Sequence, residues 1–86
     1  MNNMHMNQII TIMGLIYNIN ETMEYSAFIN FSGHVNSLSI QVAESKENYD
    51  NLIFNKYIYI ENSERTTLEL NHIIEILRKI QEGTYE

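Results

Sequence analysis

An α+β fold of two layers is predicted for this chain of 86 residues: a helix, a three-stranded antiparallel meander and a second helix, with both helices on one sheet face. Three observations predict it. Apolar residues recur at spacings of three and four near both ends of the chain. Between them, three short runs alternate apolar with polar residues, the period of a strand. A three-stranded sheet also needs a covering layer, which two amphipathic helices on one face supply.

The first helix is expected from about Gln8 to Met23. Ile9, Ile12, Met13, Ile16, Ile19 and Met23 form its apolar stripe. Gly14 interrupts it at a cost of about 1 kcal/mol relative to Ala, marking a close approach of another element or a strand in place of the helix. Residues 1–7 are expected as a flexible leader, 8–83 as a single domain and 84–86 as a frayed end. The leader has no basic segment of the kind that opens a signal peptide. The apolar run Ile9–Tyr17 is far shorter than the roughly 20 residues of a membrane span.

The first strand covers Tyr25–Ser32, where Tyr25, Ala27, Ile29 and Phe31 alternate with Ser26, Phe28, Asn30 and Ser32. Gly33-His34-Val35-Asn36 reads as a turn, because Gly and Asn both tolerate positive φ. Leu38, Ile40 and Val42 then face the core from a second strand, with Ser37, Ser39 and Gln41 opposite. A charged loop, Glu44–Asn51, precedes the third strand, Leu52–Glu61, in which Ile58 and Ile60 alternate with Tyr57 and Tyr59.

The last helix has a capping box at Thr66-Thr67-Leu68-Glu69, with Ser63 as the alternative N-cap. Leu70, Ile73, Ile74, Leu77 and Ile80 or Gln81 form its stripe, Arg78 and Lys79 suit its last turn, and Gly83 ends it. The expected core is Ile12, Ile16, Leu38, Ile40, Val42, Ile58, Ile60, Ile73 and Leu77.

Charge narrows the function classes. Eleven acids against five Lys and Arg leave a net charge of −6, which disfavours direct binding to nucleic acid. With no cysteine there is no disulfide and no thiolate metal site. His5, His34 and His72 are not at metal-ligand spacing; His34 is expected to approach Glu61 or Glu64. No phosphate-binding glycine loop and no nucleophile elbow occurs, so neither catalysis nor a cofactor is expected.

Two binding surfaces remain. In a meander, both helices end beside the loop joining the second and third strands. That gathers Glu21, Glu24, Glu44, Glu47, Asp50, Glu82 and Glu86 at one pole, opposed mainly by Lys46, Arg78 and Lys79. Each helix C-terminus adds roughly half a negative charge there, and such a pole attracts a basic groove. The open sheet face is the alternative. Phe28, Asn30, Ser39, Gln41, Tyr57 and Tyr59 project from it, and aromatics among small polar residues resemble an interface core, including that of a homodimer.

The stretch Ala27-Phe28-Ile29-Asn30-Phe31-Ser32-Gly33-His34-Val35-Asn36-Ser37-Leu38-Ser39-Ile40-Gln41-Val42, followed by Lys56-Tyr57-Ile58-Tyr59-Ile60-Glu61 and a Leu/Ile-rich helix, resembles short proteins of phages and prophages of Gram-positive bacteria. Small acidic phage proteins of similar architecture include anti-CRISPR proteins. Some of these mimic DNA and occupy the site where a type II effector nuclease reads its protospacer-adjacent motif. The resemblance implies an inhibitor of a host defence protein, acting in the cytoplasm of the bacterial host. Carboxylates would then stand in for the phosphates met by the nuclease's Arg side chains. A charge of −6 is modest for a DNA mimic, and the hairpin signature is not itself acidic.

Overall fold

The computed structural model describes residues 3–47 and 50–85. Its elements are α1 (Asn3–Thr22), β1 (Ser26–Ser32), β2 (Ser37–Ala43), β3 (Leu52–Tyr59) and α2 (Glu64–Glu82). The strands form one antiparallel sheet in the order β1-β2-β3. Both helices pack on one face, α1 against β1 and α2, and α2 against β3.

Register explains the two faces. Leu38 and Ile58 stand side by side on β2 and β3, as do Ala27, Val42 and Phe54 across all three strands. These rows meet the helices and supply the sheet's part of the core, which α1 completes with Ile9, Ile12, Ile16 and Ile19, and α2 with Leu70, Ile73, Leu77 and Ile80. All nine expected core residues are buried. Burying each such aliphatic side chain contributes about 1.5–3 kcal/mol. The ladder slips by one residue at Val42/Ala43, leaving Ile53 between the partners Leu52 and Phe54.

Several expectations need correction. α1 begins at Asn3, so the described part of the expected leader is helical. The reason is a polar continuation of the apolar stripe. His5 is fully buried, with its Nε2 3.0 Å from Thr67 Oγ1. Gln8 Nε2 donates to Thr67 O at 3.0 Å and to Asn71 Oδ1 at 2.8 Å. Met13, placed on the stripe, is exposed instead. Gly14 lies in an uninterrupted helix with nothing near the position of an added Cβ, so it admits no close neighbour within the chain.

At α2, Ser63 is the N-cap, and its hydroxyl accepts from Thr66 N. Thr66 is a buried first-turn residue whose Oγ1 accepts from Glu61 N at 3.1 Å, so the helix starts ahead of the Thr66 box. Gly83 takes the left-handed conformation at φ 77°, and the N–H groups of Gly83 and Thr84 return to the carbonyls of Ile80 and Lys79. In the β1–β2 turn, positive φ falls on Asn36 (55°), while its side chain donates to Ile60 O at 2.7 Å. The hairpin is thereby tied to the chain leaving β3.

Candidate functional site: an acidic pole and an open sheet face

The helices run parallel. His5 and Gln8 of α1 meet Thr67 and Asn71 of α2 at one end, and Asn18 meets Gln81 at the other. Tyr85, just past α2, sets its ring edge-on to Phe54 at the start of β3, with centroids 6.4 Å apart. Lys46, from the loop between β2 and β3, reaches the end of α1. Both helices therefore finish beside that loop, as the meander requires.

The pole is built around Lys46. Its ammonium donates to the carbonyl oxygens of Asn20 (2.9 Å), Met23 (3.1 Å) and Tyr25 (2.9 Å). Asn20 lies in the last turn of α1, whose carbonyls lack helical partners, and Met23 and Tyr25 follow in the link to β1; the helix dipole favours a cation there. Lys46 thus offsets the negative end of α1, which tempers the expected contribution of that terminus.

Glu21, Glu24 and Glu47 line an open hollow of about 480 Å³ around Lys46, the only basic residue lining it among the described residues. All three are exposed and form no ion pair among the described residues. Glu44 has a local role: its N–H donates to Asn51 O at 2.8 Å, and its carboxylate accepts from Asn51 Nδ2, closing the loop. Asp50 is exposed in the same loop. Glu82 is not gathered into the hollow; it lines a groove along α2 with Asn71, Ile74, Glu75, Arg78 and Lys79. Lys79 pairs with Glu75 at 3.6 Å. Glu86 lies outside the described residues.

On the other surface, the register places Phe28 beside Gln41 and Asn55, and Asn30 beside Ser39 and Tyr57. Phe28, Asn30, Tyr57 and Tyr59 are exposed, and Ser39 and Gln41 are half-buried. The rings of Tyr57 and Tyr59 meet edge to face at 5.4 Å. The side-chain hydrogen bond to Tyr57 raises the Tyr59 phenol above its ordinary value of 10.0, and the Tyr57 charge adds to the rise.

Among the described residues no cluster of His, Asp and Glu is arranged to hold a metal ion, and no helix is long and apolar enough to cross a membrane. His34 is exposed in the turn and pairs with neither Glu61 nor Glu64; His72 is exposed on α2.

Sequence reasoning missed the His5–Gln8 layer, although His5 extends the spacing of Ile9, Ile12 and Ile16 backwards by one turn. It also missed a second apolar row on α1, Met6, Ile10, Met13 and Tyr17, which has helical spacing and faces solvent. The Lys46 cap left no sequence signal. No family model, curated protein or solved structure matches the chain.

Proposed function

We propose that this protein is a binding module without catalytic chemistry, and that its acidic pole docks on a basic groove of a protein partner. The observation that carries this reading is the commitment of Lys46. Its ammonium serves three backbone carbonyls, while Glu21, Glu24 and Glu47 stand around it with no cationic partner among the described residues. Three carboxylates outweigh one ammonium already set against a helix terminus. A negative surface of this kind speeds encounter with a basic groove and selects for it.

The resemblance to phage proteins directs the choice of partner. A host defence protein is the target class, and a type II CRISPR effector nuclease comes first, because it reads its motif with Arg side chains in a basic channel. The protein would act as an inhibitor by DNA mimicry, in the host cytoplasm. Competition tests this. The protein should displace a motif-containing duplex from a guide-loaded effector, less effectively as salt is raised. Duplex binding that is unaffected by excess protein at low salt would reject the effector as target.

A second reading rests on the exposure of Phe28, Tyr57 and Tyr59 beside Asn30 and Gln41 on the uncovered sheet face. A regulatory or structural partner could bury these rings. Loss of partner binding in Tyr57→Ala and Tyr59→Ala, with the pole unchanged, would favour it.

A further inference from the structure

We infer that the protein self-associates through the flank formed by β1 and α1. Two copies would join their β1 strands antiparallel into a six-stranded sheet and pack their α1 helices against each other across the twofold axis.

The two sheet edges are treated differently. β3 carries Lys56, half-buried on the helix-covered face beside Ile40, and an inward charge discourages pairing with another strand. β1, Ser-Ala-Phe-Ile-Asn-Phe-Ser, has no charge and no proline. Among the described residues the backbone of its outer edge is bonded at one end, where Asn20 binds both backbone groups of Ala27. In an antiparallel ladder, alternate residues turn N–H and C=O to the same side. Since those of Ala27 point away from β2, those of Ile29 and Phe31 do too. A pairing centred on Asn30 would set Ile29 of each copy opposite Phe31 of the other and satisfy these groups mutually.

α1 supplies the second layer. Met6, Ile10, Met13 and Tyr17 are 44–68% exposed. At about 100° per residue they share one stripe, roughly opposite the Gln8 and Asn18 positions that meet α2. Because α1 lies over β1, this stripe overhangs the free edge. Phe28 and Phe31, also more than two-fifths exposed, flank that edge from opposite sheet faces.

A second copy fits this flank better than a charged partner does. None of these six side chains, and no residue of β1, is charged, so two chains of net charge −6 can meet here without opposed acids. The half-exposed side chains offer roughly 600 Å² per copy, about 1,200 Å² for the pair, within the range of specific interfaces. The acidic poles would lie at opposite ends of the assembly, open to partners.

Sedimentation equilibrium over a hundredfold concentration range, reaching about 0.2 mM, tests the inference. The expected mass rises to twice the 10.2 kDa of one chain. Met13→Lys, at an exposed position, and Phe31→Pro, at an outward N–H, should each keep the helical and strand signal of the parent and stay single at every concentration. Tyr57→Ala should pair like the parent. A parent chain that stays single at 0.2 mM, or pairing retained in both variants, overturns the inference. Should the variants misfold, hydrogen exchange of the parent decides: amides of Ile29 and Phe31 should slow as concentration rises, and rates independent of concentration overturn it. No target is used, so the outcome is separate from the function of the pole.

Discussion

Asn20 clasps Ala27 with two hydrogen bonds of 2.8 Å, its Nδ2 donating to the Ala27 carbonyl and its Oδ1 accepting from the Ala27 N–H. One side chain at the end of α1 thus imitates the neighbouring strand that the β1 edge lacks. It also fixes where α1 stops relative to the sheet. Replacing Asn20 with Ala strands both groups at a partly buried place, at a cost of about 1–3 kcal/mol. Urea denaturation should show this loss, and Asn20→Asp, which keeps only the acceptor, should fall between Ala and the parent.

Lys46 holds a different part of the same junction. Lys46→Met keeps the aliphatic stem and removes the ammonium from three carbonyls, so stability should fall by about 1 kcal/mol, with the deficit shrinking as salt rises. The same variant makes the pole more negative. Its affinity for a basic partner at low salt should therefore hold or increase while its melting temperature drops.

Gly14 offers the opposite case. It sits mid-helix with open space where a Cβ would go. Gly14→Ala should stabilise the fold by about 0.5–1 kcal/mol, chiefly by restricting the unfolded chain. A thermal melt should move upward by a few degrees.

Among the described residues, Tyr59 has a phenol whose ionisation is shifted by its neighbour. Its raised value means that the folded state favours the neutral phenol. The stabilisation is fully present below the ordinary value of 10.0 and is lost as pH climbs through the raised value. Absorbance titration near 295 nm should show one tyrosine ionising late, and Tyr57→Phe should bring that ionisation back down. Tyr59 is exposed, so the stability lost across that alkaline window should be small.

The N-terminal turns give a direct check on how far the helix extends. Removing residues 1–7 would be neutral if they were a leader. With His5 buried against Thr67, removal should destabilise the fold measurably, and His5→Ala alone by about 1–3 kcal/mol.

Periodicity made the framework legible. Alternation in Leu38-Ser39-Ile40-Gln41-Val42 and the stripe Leu70–Ile73–Leu77 placed β2 and α2 correctly, because burial on one face leaves a regular imprint on sequence. Gly83 marked the end of α2 for the same reason that only a left-handed residue fits there. His5 and Gln8 escaped because buried polar residues break an apolar count while continuing its spacing. Met13 misled because its period fits the core stripe while its side chain belongs to the exposed row. At the pole, topology alone placed Glu21, Glu24 and Glu47 near one loop. The departure of Glu82 depended on which side of α2 it occupies, and the reach of Lys46 depended on a loop path that composition does not encode.

The most direct measurement is the affinity of a guide-loaded type II effector nuclease for the parent chain and for Glu21→Lys/Glu24→Lys/Glu47→Lys, at low and moderate salt. These carboxylates are exposed and hold no ion pair among the described residues, so the variant should fold like the parent. The expected result is binding by the parent, weakening with salt, and at least about a tenfold loss in the variant. Equal affinities at both salt concentrations would contradict the account, since nothing at the pole would then be read by the partner.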